Sequence, residues 1–336
     1  MKSIISLDHT SEAPKYQQII QSIINAIDNN QLKIGDRLPS VNQVSDNTGI
    51  APKTVMQAFR SLKQAGLVSA VQYKGFFVAS TNTQSRHNIF VLFNSLTAYK
   101  EEIYESIKNT IAGKGTVNIY FHHNNVALFN TLLAQSNGKY TAYIIMPIKD
   151  KDIAASLKQL PQQKVYILDL GYRDWGARYP SVCQYFHEDI HQVLQQHLTK
   201  IRRKYNKLVL VMGPAFYNLK QIENGFRRFC RESGLPSAVV THVGNKPLAT
   251  GELYILVHDG DLVHLVKRIT ALSFKLGKDI GIISYNEIPI KEIAANGIAT
   301  ISTDFTKMGT DIINMVLNKK KQHLKNPCKL IERPSF

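Results

Sequence analysis

Hydrogen-bond donors line one side of a predicted helix early in the sequence. This helix lies between Pro52, which suits a first helical turn, and Gly66, which suits a C-terminal cap. At about 100° per residue, its polar face carries Lys53, Gln57, Arg60 and Gln64, and its apolar face carries Val55, Ala58, Phe59 and Leu62. Because lysine can pair with guanine and glutamine with adenine, the polar face predicts contacts to DNA bases.

Two further predicted helices precede this one and would position it. Apolar residues recur at helical spacing over residues 15–29, directly after Pro14. A second, short helix begins at Ser40, which forms a capping box with Gln43, and ends at Gly49. Two short helices joined by a tight turn that contains glycine form the helix-turn-helix layout.

The first turns of the second helix in such a layout reach the base edges. We therefore expect Lys53, Thr54 and Gln57 to contact bases or phosphates, and Arg60, further along the helix, to meet a phosphate or solvent. The apolar runs 67–71 and 76–80 then predict a β-hairpin with Gly75 at its turn.

This hairpin would be a wing, with Tyr73 and Lys74 at its tip close to the backbone or the minor groove of DNA. The order of helix, helix, helix and hairpin over residues 14–78 resembles the winged helix of the GntR family. The segments LKIGDRLPSV, TVMQAFRSLKQAGLV and YKGFFV carry the resemblance. It implies that Arg37 contacts a phosphate.

We also expect Ser40, Asn42 and Gly75 of the wing to contact DNA. Family members often have arginine where this chain has Asn42, Pro52 and Met56, so the DNA contacts of those arginines do not transfer. We therefore expect an operator that differs from the commonest type of the family.

The remainder of the chain alternates short apolar runs with helical stretches, which predicts a parallel α/β sheet or a pair of sheets. A polar segment, residues 79–88, would link it to the first domain. Five ordered landmarks resemble the effector domain of the lac-repressor family, which shares the fold of periplasmic sugar-binding proteins. They include KVYILDL, LYILVHDGDLV and GKDIGIISYNEIP.

This second resemblance implies a two-lobed domain with a ligand between the lobes. It also implies which residues would contact that effector: Ser95, Tyr99, Lys220, Asp259 and Asn286. Each has a plainer alternative. Asp259 could cap the helix that follows it, Asn286 could be a turn residue, Lys220 a solvated charge and Tyr99 a packing residue rather than a lid.

The composition and motifs narrow the class of protein. The net charge of +16 suits a polyanionic partner, although residues 1–80 carry +3 of it and residues 81–336 carry +13. No phosphate-binding glycine loop and no nucleophile elbow occur, and we expect neither an enzyme nor a cofactor. The three cysteines show no zinc spacing. The adjacent His122 and His123 would point to opposite faces of a strand, so no metal is expected.

The sequence thus predicts a multidomain α+β and α/β protein. Residues 1–78 would form a winged helix-turn-helix domain, 79–88 a linker and 89–336 a domain that binds an effector and dimerises. We expect a cytoplasmic homodimer, with no membrane segment, that binds double-stranded operator DNA. It would repress carbohydrate-utilisation genes until a monosaccharide or a derivative releases it. In the alternative, the second domain only dimerises and binds no ligand.

Overall fold

The computed structural model describes residues 4–8, 13–81, 87–170, 178–213, 220–244 and 247–336. The chain divides into two compact units, Met1–Arg86 and His87–Phe336. Residues 82–86 of the predicted linker lie outside the described residues. The last two linker residues, His87 and Asn88, begin a strand instead, because they pair in parallel register with Gly115 and Thr116.

The first unit has three helices and a hairpin among its described residues. These are α1 (Lys15–Asp28), α2 (Val41–Thr48), α3 (Pro52–Gln64), β1 (Val68–Val71) and β2 (Gly75–Val78). The capping box is present: the Ser40 side chain accepts a hydrogen bond from the Gln43 amide, and the Gln43 side chain accepts one from the Ser40 amide. Gly49 ends α2 in the left-handed conformation that favours glycine.

The wing differs in detail from its prediction. Strand β2 ends at Val78, and Gly75 is its first residue, opposite Val71, so residues 72–74 form the turn. Tyr73 has a φ of 60° there. The second strand also pairs once outside the hairpin, where Phe77 forms an isolated antiparallel bridge with Arg37.

The second unit contains two six-stranded sheets, and each defines one lobe. The first sheet is parallel, in the order β13-β7-β6-β5-β3-β4. Its strands are β3 (His87–Phe93), β4 (Gly115–Phe121), β5 (Ala142–Ile145), β6 (Val165–Asp169), β7 (Ser181–Cys183) and β13 (His323–Lys325). The helices of this lobe are α4 (Ala98–Ile111), α5 (Val126–Ser136), α6 (Ile153–Gln159) and α12 (Phe305–Leu317).

The second sheet has the order β14-β12-β11-β10-β8-β9, and only β14 runs antiparallel to its neighbour. Its strands are β8 (Lys207–Val211), β9 (Ser237–Val240), β10 (Glu252–Leu256), β11 (Ile280–Tyr285), β12 (Ala299–Thr303) and β14 (Cys328–Ile331). Its helices are α7 (Phe186–Gln196), α8 (Leu198–Lys204), α9 (Lys220–Ser233), α10 (Asp259–Ala271) and α11 (Pro289–Ile293). The predicted two-lobed α/β architecture is confirmed.

The chain crosses between the lobes three times, after β7, after β12 and after β13. Hydrogen bonds join the crossings to one another. Asn326 donates from its side chain to the Asp304 carbonyl (2.7 Å) and from its amide to the Cys183 carbonyl (3.0 Å). The Asp304 amide in turn donates to the carbonyl of Pro327 (3.1 Å). The three crossings are therefore joined by hydrogen bonds, and we call this region the hinge.

The described helices are also informative about membranes. None of them combines the length and the apolar character that a membrane span requires.

Candidate functional site

The recognition face of α3 has the polarity that its spacing predicts. Lys53, Gln57 and Arg60 are exposed, and Thr54 is half-buried. The opposite face is buried in the core of the first unit through Val55, Ala58, Phe59 and Leu62. The helix is thus held by its apolar side, and its donors are available to a partner.

The wing places further candidates in solvent. Tyr73 is 98% exposed at the tip, and Lys74 is exposed beside it. Arg37 is exposed and lies along the wing, because a Cβ at Gly75 would stand 3.6 Å from its Nε atom. A Cβ there would make only an ordinary contact with the guanidinium, so the feature that favours glycine is the φ of 101° at this position.

The start of α2 carries the last two DNA-binding candidates. Ser40 is exposed, but its hydroxyl is committed to the amide of Gln43 (3.1 Å) as the helix cap. Asn42 is exposed two residues before the buried Val44. Of these two side chains, Asn42 has the side-chain donors that a phosphate or a base could take.

A polar network lies at the carboxyl edge of the first sheet, which is the edge at which its parallel strands have their carboxyl ends. Lys100 in α4 is buried and donates to the side chains of Asn94 (2.5 Å) and Ser95 (3.3 Å), which follow β3. Burial lowers the pKa of Lys100, and the charge of Asp169 opposes that shift. Ser95, a predicted effector residue, is therefore engaged within the lobe.

Asp169 ends β6 in the centre of this network and is fully buried. Its carboxylate accepts hydrogen bonds from the Gln184 side chain (2.5 Å) and from the Tyr99 hydroxyl (3.5 Å). Burial raises the pKa of Asp169, while the Lys100 charge and these two donors oppose the rise. Gln184 also accepts a hydrogen bond from Thr303 (2.8 Å), so the network reaches the hinge.

Tyr99 packs inside the first lobe. Its ring stacks on Phe305 with a centroid distance of 4.6 Å, and its hydroxyl contacts Asp169. Burial, followed by the nearby Asp169 charge, raises the pKa of Tyr99 well above its usual value. These are the contacts of a packing residue, which is the plainer alternative to a lid.

The carboxyl edge of the second sheet brings together two of the predicted effector residues. Asp259 begins α10, and Asn286 follows β11 with a φ of 60°. Lys291 contacts both, through the Asp259 carboxylate (2.8 Å) and the Asn286 carbonyl (2.8 Å). Asp259 is not the helix cap, because His258 holds that position and accepts from the Gly260 amide.

The neighbouring acid on this edge also has a counter-ion. Both oxygens of Glu287 accept hydrogen bonds from Arg333 (2.8 and 2.9 Å), and Thr300 donates to one of them. These partners lower the pKa of Glu287 against the effect of its burial. Lys220, the remaining candidate, is exposed at the first residue of α9, and the residues before it, 214–219, lie outside the described residues.

His122 and His123 are placed differently from the prediction. They follow β4 rather than lie on it, because the strand ends at Phe121 and His123 takes a φ of 49°. Both ring nitrogens of His122 are used, one donating to the Met146 carbonyl (3.1 Å) and one accepting from the Asn124 amide (3.1 Å). Burial lowers the pKa of His122 to about 4. No cluster of metal-ligating side chains occurs among the residues that the structure describes.

Sequence reasoning missed Lys291, Lys100 and Gln184, which organise the two edges. Nothing local marks a lysine that will be buried, since its partners lie at the ends of other strands. Asp169 lies in the segment KVYILDL, which is one of the landmarks of the resemblance, but its contact with Gln184 depends on the pairing of β6 with β7.

Comparison with known proteins agrees with this architecture. Residues 15–78 match the bacterial regulatory proteins of the gntR family, and residues 196–336 match the periplasmic binding protein-like domain. This chain is a DNA-binding transcriptional regulator. Its first unit is a gntR-family helix-turn-helix domain, and its second unit has the fold of periplasmic binding proteins.

Two relatives from Bacillus subtilis (strain 168) each resemble a part of the regulator. The HTH-type transcriptional repressor YtrA is 28% identical over 104 residues, which are 31% of this chain and 76% of YtrA. The HTH-type transcriptional regulator YhcF is 30% identical over 69 residues, which are 20% of this chain and 57% of YhcF. These relatives are regulators and not enzymes.

Solved structures share the fold of the second unit. A dimeric Lac repressor superposes with a TM-score of 0.62 at 16% identity, over 74% of this chain and 98% of that one. A LacI family transcriptional regulator from Lactobacillus casei with bound glucose gives a TM-score of 0.60 at 16% identity, over 74% and 99%.

The Asp169 network generates a prediction about stability. Asp169→Ala removes the acceptor for Gln184 and Tyr99 and puts alanine at a φ of 68°, whereas Asp169→Asn retains an acceptor and tolerates that φ. We expect the alanine variant to lose about 1–3 kcal/mol more of its free energy of unfolding than the asparagine variant. Urea unfolding of both variants measures the difference, and equal losses would show that the acceptor is unimportant.

Proposed function

We propose that the regulator represses carbohydrate-utilisation genes and that a small neutral sugar, bound between the lobes of the second unit, releases it from operator DNA. The observation that carries the proposal is the pair of polar edges at the carboxyl ends of both sheets. Ligands of open α/β sheets bind at such edges. The proposal is supported by the fold shared with a glucose-bound LacI family regulator.

DNA binding is proposed to occur through the exposed face of α3 together with the wing. In helix-turn-helix proteins, the start of this helix enters the major groove. Lys53 and Gln57 are both exposed there, one turn apart. Arg37 and Lys74, which both lie at the wing, would contact phosphates beside the groove, and such contacts fix the helix in the groove without selecting a sequence.

The α3 face predicts a loss of operator binding on substitution. The double variant Lys53→Ala/Gln57→Ala should bind a duplex, selected by the wild type from a random DNA pool, at least about tenfold more weakly, because each base contact contributes roughly 1–3 kcal/mol. Its melting temperature should be unchanged, since both side chains are exposed.

Lys63→Ala is the matched control, because it removes one exposed charge from the last turn of the same helix, away from the polar face. Gel-shift titration of the three proteins measures the affinities. Equal affinities of the double variant and the wild type would refute the assignment of the recognition face.

We further propose that the regulator is a homodimer. A single recognition helix covers a single half-site, and operators commonly mirror a two-fold symmetric protein. Exposed apolar side chains occur on both α10 and α11 of the second unit, and we call them the α10–α11 face. They are Val263 (54% exposed), Ile290 (58%) and Ile293 (73%). A second copy of the chain is the occupant that we assign to this face, by analogy with the dimeric Lac repressor of the same fold.

This face predicts the oligomeric state. The variant Ile290→Asp/Ile293→Asp should sediment as a monomer at micromolar concentration, because two charges would replace apolar contact area. Leu128→Asp, at an exposed apolar position on α5, should remain a dimer. A monomeric wild type, or a dimeric double variant, would contradict the assignment.

The switch is proposed to depend on the two edges. A ligand shifts an equilibrium only through its different affinities for the two states, so a sugar that favours one arrangement of the lobes changes operator affinity. The usual coupling of about 1–3 kcal/mol corresponds to a change of roughly 5–150-fold. Release rather than tightening is the direction that the resemblance to carbohydrate repressors implies.

The effector prediction uses a panel of neutral monosaccharides that includes D-glucose. We expect at least one sugar to weaken operator binding of the wild type in gel-shift assays. Asp259→Ala and Asn286→Ala should each abolish that response and keep basal operator binding, because both lie outside the DNA-binding unit. If both variants respond at wild-type sugar concentrations, the site is misplaced.

The alternative, in which the second unit only dimerises, gives a different result in the same assay. No sugar at millimolar concentration would then alter operator binding or the melting temperature of the wild type. The α10–α11 variant would still become monomeric.

A further inference from the structure

A buried lysine lies beneath the second-lobe edge. Lys291 is 1% exposed, although it is a charged residue on the short helix α11. Its ammonium donates to the Tyr285 carbonyl (2.7 Å), the Asn286 carbonyl (2.8 Å) and the Asp259 carboxylate (2.8 Å). These three oxygens match the three donor hydrogens of the ammonium group.

The three oxygens come from two separate strand ends. The carbonyls belong to the end of β11, where Asn286 takes its left-handed backbone conformation. The carboxylate belongs to the first residue of α10, beyond the end of β10. Lys291 therefore fixes the position of Asp259 relative to Asn286, which are 27 positions apart in the sequence.

The ion pair between Lys291 and Asp259 is not needed to neutralise a buried carboxylate. The Asp259 side chain is 57% exposed, so water could hydrate its carboxylate without help from a buried cation. Replacing a buried ionic group by an apolar one often leaves a fold equally stable. A buried lysine that holds an exposed carboxylate is thus better explained by the position and the charge that it gives to that carboxylate.

We propose that Lys291 is a positioning residue of the effector site, which holds Asp259 and Asn286 in place and neutralises the charge of this edge so that it selects an uncharged, hydroxyl-bearing ligand over a cationic one. This inference rests on the proposed function, since it concerns the same site.

The charges around Asp259 support the selection of a neutral ligand. Glu287, the next acid on the edge, is already paired with Arg333 through two hydrogen bonds. With Lys291 in place, Asp259 can still accept hydrogen bonds from hydroxyl groups. Its negative charge is balanced by Lys291, so it attracts the ammonium group of a ligand less strongly.

The test compares each neutral monosaccharide of the panel with its 2-amino counterpart, such as D-glucose with D-glucosamine, at a pH at which the amine is protonated. Binding to the full-length protein is measured by calorimetry. Lys291→Met leaves Asp259 without a counter-ion, so the ratio of amino-sugar to neutral-sugar affinity should rise by about fivefold, as expected for a half-exposed charge pair.

Asp259→Asn tests the same idea in the opposite direction and keeps the buried lysine. The ratio should fall in this variant, because Lys291 then gives the edge an excess positive charge. Lys307→Met is the matched control, since Lys307 forms an exposed pair with Asp311 on α12 (2.9 Å). It should leave the ratio unchanged.

The outcomes separate the two proposals. A general loss of structure would weaken both members of a sugar pair together, so an unchanged ratio in Lys291→Met and Asp259→Asn overturns the role of Lys291 while wild-type binding upholds the effector site. If Lys291→Met fails to fold, Asp259→Asn alone decides by the direction of its ratio. If the wild type binds no sugar of either kind, the proposed function fails, and this inference fails with it.

Discussion

The side chain of Gln184 lies where the two lobes join, and the second unit depends on its contacts. It donates to the buried Asp169 at the edge of the first sheet and accepts from Thr303 at the end of β12 in the second. An amide can do both at once because it carries a donor and an acceptor. A change in the relative orientation of the lobes must therefore either break the bond between Gln184 and Thr303 or move the Gln184 side chain, which is bonded to Asp169.

The two edges that face this hinge achieve charge balance in different ways. In the first lobe, Asp169 and Lys100 are both buried, and neutral partners such as Asn94 complete their hydrogen bonds. In the second lobe, the Asp259 and Glu287 carboxylates pair directly with cations and remain partly open to solvent. The charged groups of the first edge are thus buried, whereas the second edge presents partly exposed acceptors. We expect discrimination between ligands to arise mainly in the second lobe.

Local features of the sequence predicted local structure well. The capping box at Ser40, the buried face of α3 and the alternation of strands and helices follow from spacing that spans a few residues. Strand β3 begins two residues before its predicted start, because the polar His87 and Asn88 pair at the strand end, and β2 ends two residues before its predicted end. Local patterns could not predict the contacts of the site, because the partners of Lys291 and of Asp169 come from strands that are adjacent only in the folded sheet.

The three crossings make each lobe discontinuous along the chain, which constrains how the protein can form. The core of the first lobe includes Phe305, Met308, Ile312 and Ile313 of α12, and its edge strand is β13. During synthesis these segments leave the ribosome only after nearly all of the second lobe. Until α12 has been synthesised, the apolar surface of the first lobe that packs against it stays uncovered. Neither lobe corresponds to a contiguous fragment of the chain that could be expressed alone.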